Sequence, residues 1–155
     1  KFQIDNKATF LDYIRGGLQL NVMVAIDFTS SNGDPRKEDS LHAVFKDSDR
    51  KNPYQKAIKA ICDILLCYDY DQKTPIYGFG GKPQGSSEVS HCFPMVKENE
   101  RSEAQGVDQI LDTYLKTLRK TTLSGPSNLA TILAKAKELA KKNKETGSKE
   151  YMIAL

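Results

Sequence analysis

The sequence has little of what marks disulfide frameworks, zinc modules or membrane spans. It contains no tryptophan, two histidines and three cysteines. Cys62, Cys67 and Cys92 are odd in number and lack C-x-x-C spacing, which fits neither a disulfide framework nor a zinc site. No apolar run approaches the roughly 20 residues of a membrane-spanning helix, and residues 1–10 lack the pattern of a secretory signal. We therefore expect a soluble protein in a reducing, intracellular compartment.

An excess of one charge sign is absent as well. The formal net charge is +3, and Lys and Arg are interleaved with Asp and Glu, so no basic stripe suggests a nucleic acid partner. The lysines of residues 135–144 are interrupted by Glu138 and followed by Glu145, which is typical of a solvated helix face. Binding of an anionic membrane through these lysines is an alternative, and it predicts an affinity that falls steeply with salt.

Apolar periodicity predicts an α/β domain. A length of 155 residues suits one domain with a single sizeable core. The pattern predicts strands over 18–26, 75–79, 89–93 and 151–155, and helices over 54–68, 107–118 and 129–140. This order predicts a doubly wound, Rossmann-like fold with helices on both faces of a mostly parallel sheet. We expect the strands 75–79 and 89–93 to pair, which places one antiparallel strand at the sheet edge.

The segment after the first strand is the most informative part of the chain. Residues 29–53 are rich in Ser, Asn, Gly, Asp and Pro, which predicts a long loop at the carboxyl end of that strand. Ligands bind at this edge in open α/β sheets. Asp27, Thr29 and Ser31 stand at its start, and an acid followed by two hydroxyls at alternate positions can direct three oxygens toward one point.

Such an oxygen cluster suits a hard divalent cation. Mg²⁺ prefers oxygen ligands in octahedral geometry and is bound through one or two carboxylates beside neutral oxygens and waters. A site with few anionic ligands keeps positive charge, so a partner's Asp or Glu can complete the coordination shell. The D-x-T-x-S spacing alone is weakly specific, because these residue types commonly cap helices and form turns.

Seven segments extend the pattern along nearly the whole chain. They are FLDYIRGG at 10–17, VMVAIDFTSSNG at 22–33, SLH at 40–42, NPYQ at 52–55, YGFGGK at 77–82, VSHCFP at 89–94 and LSGPSNLA at 123–130. In these segments and their order the chain resembles the von Willebrand factor A-type domain of copines. Its D-x-T-x-S sequence resembles the metal-ion-dependent adhesion motif of such domains.

The resemblance implies a site and a role. Asp27, Thr29 and Ser31 would hold Mg²⁺ or Mn²⁺ together with Ser127, where the family usually has threonine. Serine keeps the hydroxyl but loses the β-branch that restricts its rotamer. The implied role is a binding module, not an enzyme, that captures protein partners through an acidic residue.

The resemblance also carries expectations about the rest of a copine. The domain would span 18–155 and be truncated at its C-terminal side, because a metal-site aspartate expected just after the strand near Tyr151 lies beyond the sequence. Residues 1–17 would be a lead-in from a preceding domain. Copines carry two calcium-dependent, lipid-binding C2 domains, so the resemblance implies a cytoplasmic protein whose peripheral membrane association depends on domains outside this chain.

Several other functions can be considered for the same residues. An aspartate after the first strand could serve a magnesium-dependent phosphotransferase or phosphohydrolase, although Thr29 stands where such enzymes have a second aspartate. Residues 78–82 lack the spacing of a phosphate loop and lead to a strand, which predicts a turn. His91 and Cys92 are adjacent on a predicted strand and point to opposite faces, so we expect no metal pair there. We assign no catalytic role to His42, which stands in a polar loop.

Overall fold

The computed structural model describes residues 7–47, 49–97, 102–145 and 150–155. Four helices and seven strands lie in these ranges. The helices are α1 (Phe10–Arg15), α2 (Pro53–Leu65), α3 (Gly106–Leu118) and α4 (Leu129–Glu145), and 3₁₀ turns cover Ser30–Asn32 and Leu66–Tyr68. The strands are β1 (Gln19–Asp27), β2 (Lys73–Phe79), β3 (Gly81–Pro83), β4 (Phe93–Pro94), β5 (Glu103–Gln105), β6 (Thr121–Leu123) and β7 (Glu150–Ala154).

The main sheet is mostly parallel, as predicted. Its order is β4-β2-β1-β7, with β1 parallel to both β2 and β7. Two short strands pair antiparallel with β2, β4 near its carboxyl end and β5 at its amino end. The predicted antiparallel edge is therefore present, but it is divided between two strands. A separate antiparallel pair, β3 with β6, lies outside this sheet.

Helices cover both faces of the sheet because the side chains of β1 alternate between them. Val22, Val24 and Ile26 belong to a core cluster that also contains residues of α2 and α3. Met23 belongs to a second cluster, with Ile132 and Leu139 of α4. A strand buried on both faces needs a near-continuous apolar sequence, which is the pattern that predicted β1. The structure thus confirms the α/β fold class.

Element ends follow local capping signals. Asn52 accepts a hydrogen bond from the backbone N–H of Gln55, while the Gln55 side chain accepts one from the backbone N–H of Asn52. This capping box, with Pro53 in the first turn, begins α2 where the Asn-Pro sequence predicted. Helix α4 runs to Glu145, beyond the predicted end at residue 140.

The strand predicted over 89–93 is longer than the one that the structure forms, whereas the lead-in segment predicted over 1–17 stays a prediction. In the segment predicted as a strand over 89–93, β4 begins only at Phe93, and Ser90 makes an isolated bridge to Gly81. The predicted lead-in segment 1–17 contains α1, whose residues are not buried, and its residues 1–6 lie outside the described ranges. Residues 146–149 of the lysine-rich segment also lie outside them.

No helix within the described ranges is long and apolar enough to cross a membrane.

Candidate metal centre

Asp27 lies at the carboxyl edge of the central strand. It is the last residue of β1 and is in register with Phe79, the last residue of β2. The next residue, Phe28, is fully buried and donates its backbone N–H to the Phe79 carbonyl at 2.8 Å. Asp27 is partly exposed, so its carboxylate stands at the rim where the sequence predicted a ligand.

The three predicted residues of the first loop lie together. An Asp27 carboxylate oxygen, Oδ1, accepts the backbone N–H of Thr29 at 2.8 Å. The hydroxyl oxygens of Thr29 and Ser31 are 2.9 Å apart. Thr29 is buried and Ser31 is exposed, so the hydroxyl pair extends from the protein interior to solvent. These contacts hold the three residues in one turn, and the binding of a cation by their side-chain oxygens stays a prediction.

Asn32 fastens the turn that carries these residues. Its side-chain amide, Nδ2, lies 3.2 Å from the Asp27 carbonyl and 3.1 Å from the Thr29 carbonyl. Its Oδ1 accepts the Tyr54 hydroxyl at 3.0 Å. Burial, followed by the charge of Asp27, raises the pKa of Tyr54 to about 12, so this hydroxyl stays a donor at neutral pH. Nothing in the local sequence distinguishes Asn32 from other loop asparagines, so its role was not predictable.

His42 lies beneath the site and not in a solvated loop. It is fully buried, and its Nε2 is 2.8 Å from the Asp27 carbonyl oxygen. Its Nδ1 is 2.8 Å from the Tyr114 hydroxyl of α3. Burial lowers the pKa of His42 below its ordinary value, and this effect exceeds the opposing influence of Asp27. The imidazole ring is therefore neutral and supports Asp27 through its hydrogen bond to the main-chain carbonyl.

Gly80 brings a third segment against the site. It directly follows β2 at a φ of 73°, in the left-handed region. A Cβ atom at this position would lie 2.4 Å from Thr29 Cγ2 and 3.4 Å from Asp27 Oδ1. Only glycine allows this approach without a shift of the neighbouring atoms. Residues 78–82 comprise the end of β2, Gly80 and the start of β3, so the turn predicted there is confined to Gly80. The segment leads to a strand and not to the helix that follows a phosphate loop.

The second predicted loop is joined to the first through its backbone. Ser124 accepts the N–H of Ser30 at 2.6 Å and donates its own N–H to the Phe28 carbonyl at 3.1 Å. Ser127 follows three residues later and is exposed. Three residues span at most about 11 Å, which is the upper limit of the distance between Ser127 and Ser124. The described contacts include no hydrogen bond from Ser127 to Asp27.

The four predicted residues include one carboxylate, that of Asp27. Within the described ranges, no three His, Cys, Asp or Glu side chains form a group that could hold a metal ion. A cation at Asp27 would therefore depend on the hydroxyl oxygens of Thr29 and Ser31 and on a fourth group from the second loop. This donor set fits a hard cation that keeps several waters.

Comparison with known proteins identifies relatives of the chain. The copine family model matches residues 40–155. The chain is 40% identical over 147 residues to Protein BONZAI 1 of Arabidopsis thaliana, covering 95% of this chain and 25% of that protein. It is 37% identical over 152 residues to Copine-A of Dictyostelium discoideum, covering 98% of this chain and 25% of that protein.

Protein BONZAI 2 of Arabidopsis thaliana is 37% identical over 155 residues, covering all of this chain and 26% of that protein. The chain thus spans about a quarter of the length of these curated relatives. Both the family match and the near-complete coverage of the chain agree with the resemblance seen in the sequence. The chain belongs to the copine family.

Proposed function

We propose that this chain is a metal-ion-dependent protein-interaction module in which Asp27, Thr29, Ser31 and Ser127 hold Mg²⁺ or Mn²⁺. The observation that carries the proposal is the oxygen cluster at the carboxyl edge of β1. It combines the Asp27 carboxylate with two hydroxyls whose oxygens are 2.9 Å apart. A binding function follows from the composition of the cluster, which has one acid and several neutral oxygens.

The separation of the two hydroxyls supports an octahedral cation. Mg²⁺ binds oxygen at about 2.0–2.1 Å, so neighbouring ligands of an octahedron are about 2.8–3.0 Å apart. The oxygens of Thr29 and Ser31 have this spacing. The Thr29 backbone is held by Asp27 Oδ1, and its hydroxyl oxygen also accepts the Asn32 side-chain amide at 3.3 Å. The other Asp27 oxygen could then face the cation directly or through a water.

The small number of acids supports capture of a carboxylate. When bound, the cation supplies net positive charge and an open coordination position, because a single carboxylate neutralises only half of its charge. The fourth residue, Ser127, adds a neutral oxygen from the second loop. An Asp or Glu of a protein partner is therefore the ligand that the centre would favour, and phosphate groups of nucleic acids are not proposed as partners.

The proposed location of the module in the cell is based on its membership of the copine family. We propose a cytoplasmic protein whose membrane association depends on C2 domains in the longer copine, since this chain corresponds to about a quarter of each relative. The lysines of α4 give little support to direct membrane binding. Lys135 and Lys142 both pair with Glu138, at 2.7 and 3.3 Å, which reduces the positive charge of that face.

Calorimetric titration with Mg²⁺ and with Mn²⁺ tests the metal site. Wild-type protein should release or absorb binding heat, whereas Asp27→Ala should show none. Asp112→Ala is a matched control, because it removes an exposed carboxylate on α3 that pairs with Lys116 at 2.6 Å. Equal heats from the wild-type and Asp27→Ala proteins would reject the site.

A phosphatase assay tests the enzymatic alternative. The position two residues beyond Asp27 is a threonine whose N–H is already bonded to Asp27 Oδ1, which favours binding over nucleophilic attack. We expect no turnover of p-nitrophenyl phosphate with Mg²⁺. Turnover by the wild-type protein that disappears in Asp27→Ala would instead establish a phosphohydrolase.

A further inference from the structure

We propose that His42 is a positioning residue of the metal centre, which fixes Asp27 through its main-chain carbonyl. The inference rests on the proposed metal-binding function and adds a residue that does not touch the cation. His42 is fully buried, and its Nε2 lies 2.8 Å from the Asp27 carbonyl oxygen. This bond acts on the residue that supplies the only carboxylate of the proposed donor set.

The hydrogen bonds around His42 have one consistent direction. The Asp27 carbonyl can only accept, so Nε2 carries the hydrogen and donates it. In a neutral ring Nδ1 must then accept, and it accepts the Tyr114 hydroxyl at 2.8 Å. The Tyr114 oxygen in turn lies 3.1 Å from the Asn52 side-chain amide, which donates to it. The chain of donors therefore runs from Asn52 through Tyr114 and His42 to Asp27.

The imidazole ring is also held by stacking. Its centroid is 4.1 Å from that of Tyr54 with a 17° angle between planes, and 5.5 Å from that of Phe28 with a 12° angle. The two contacts fix the plane of the ring, and the hydrogen bonds fix its rotation within that plane. Phe28 is the neighbour of Asp27 in the chain, so stacking and hydrogen bonding act on adjacent residues.

A second side chain reinforces the same carbonyl. Asn32 Nδ2 lies 3.2 Å from the Asp27 carbonyl oxygen, so both lone pairs of that oxygen have a donor. Asn32 is itself held by the Tyr54 hydroxyl at 3.0 Å. The backbone of Asp27 is thus fixed from two directions before any ligand arrives.

These hydrogen bonds connect the loop that begins at Asp27 to two helices. Asn52 caps the amino end of α2, and Tyr114 lies in α3. Asn52, Tyr114 and His42 are all fully buried. Buried polar groups are costly unless every one is paired, and in this chain the pairing ends at the residue that carries the carboxylate. We infer that the network limits the positions that the Asp27 carboxylate can adopt.

Variants at His42 separate hydrogen bonding from packing. His42→Phe keeps a stacked ring between Phe28 and Tyr54 but removes both hydrogen bonds. It should weaken Mn²⁺ binding about 10-fold or more, the range observed when groups that orient metal ligands are removed. His42→Gln retains an N–H donor for the Asp27 carbonyl and should recover much of the loss. If His42→Phe does not fold, Tyr114→Phe tests the same chain with all rings in place.

Ile110→Ala is the control for a general loss of stability. Ile110 is fully buried in α3 one turn before Tyr114, and its truncation leaves a cavity in the core. Ile110→Ala should lower the melting temperature but leave the dissociation constant for Mn²⁺ within about twofold of wild type. Equal weakening by Ile110→Ala and His42→Phe would show that His42 has only a structural role and would overturn the inference.

Hydrogen exchange of the metal-free protein gives a readout that does not need metal. The Thr29 amide, bonded to Asp27 Oδ1, should exchange about 10-fold faster in His42→Phe and at the wild-type rate in Ile110→Ala. Unchanged exchange of this amide in His42→Phe would overturn the inference. If wild-type protein binds neither Mg²⁺ nor Mn²⁺, the proposed function fails, and faster Thr29 exchange would still establish that His42 positions the loop.

Discussion

Substitution of Gly80 by alanine tests how closely the β2–β3 connection approaches the candidate metal centre. A Cβ atom at Gly80 would lie 2.4 Å from Thr29 Cγ2 and 3.4 Å from the Asp27 carboxylate. Carbon atoms in favourable contact are about 3.5–4.0 Å apart, so the two methyl groups must separate by about 1 Å. Thr29 is 3% exposed, which leaves its side chain little free space into which to move.

The expected loss of stability has two parts. Forcing an extra methyl group into a packed region costs about 1–3 kcal/mol. The φ of 73° at Gly80 adds about 1–2 kcal/mol, since alanine disfavours left-handed backbone. We therefore expect Gly80→Ala to lower the free energy of unfolding by about 2–5 kcal/mol. Movement of Thr29 would also change its 2.9 Å separation from Ser31 and so weaken Mg²⁺ binding.

Gly85→Ala is a matched control for this substitution. Gly85 has a φ of 90°, but nothing lies within 4 Å of a Cβ atom there. It should show only the backbone cost of about 1–2 kcal/mol, and the entropy change of the unfolded chain is the same in both variants. Urea unfolding and Mg²⁺ titration of the two variants make the comparison. Losses of stability that agree within about 0.5 kcal/mol would refute the close contact, since surface substitutions vary by this amount.

Three further predictions concern Asp69, Ser102 and Ser127. Burial, followed by the Asp71 carboxylate, raises the pKa of Asp69 from 3.8 to about 6. The folded state then binds the proton more tightly than the unfolded state, so the free energy of unfolding should fall as pH rises from about 4 to about 6. Urea unfolding of Asp69→Asn should show no such fall. The Ser102 hydroxyl is buried, accepts two backbone N–H groups at 3.0 and 2.9 Å and donates to a carbonyl at 2.7 Å. Ser102→Ala should cost about 2–4 kcal/mol in thermal unfolding, and a loss below about 0.5 kcal/mol would contradict this bonding. Ser127→Thr should tighten Mg²⁺ binding up to about threefold by calorimetry, because threonine restricts the three χ1 rotamers that are open to serine. Unchanged affinity in both Ser127→Thr and Ser127→Ala would show that Ser127 does not belong to the site.

The long elements were predictable because their signals are local. Strand β1 is a nearly continuous apolar run, and helices α2 and α3 repeat apolar residues at helical spacing. The start of α2 followed from a cap and a proline, which act within one turn. Each of these patterns reflects burial or capping of the element itself, so no knowledge of its neighbours was needed.

The short strands were not predictable, because their pairing is decided elsewhere in the chain. Strands β3 and β6 have three residues each and pair across a separation of about 40 positions. Strand β5 also has three residues and pairs with the start of β2. Segments of this length contain too few residues to show a period of two. The over-long prediction at residues 89–93 has the same cause, since only Phe93 at its end enters the sheet.

The candidate site also has residues that could be predicted from the sequence and residues that could not. Asp27, Thr29 and Ser31 are adjacent in sequence, so their spacing alone could suggest a common ligand, whereas Ser127 entered through the resemblance to copines. His42 and Gly80 could not be placed at the site from sequence, because tertiary contacts bring them there. The SLH and YGFGGK segments that carried part of the resemblance contain these two residues. The resemblance to copines therefore included His42 and Gly80, but it did not indicate what either residue contacts.

The contacts of His42 also bear on the choice between a binding module and a phosphohydrolase. A general base needs a lone pair that can reach the proton it removes. The histidine that contacts Asp27 is fully buried and has both ring nitrogens engaged, Nε2 with Asp27 and Nδ1 with Tyr114. Using it as a base would break the bonds that hold the carboxylate in place. His42 therefore holds Asp27 in place and is not free to transfer a proton to or from a substrate.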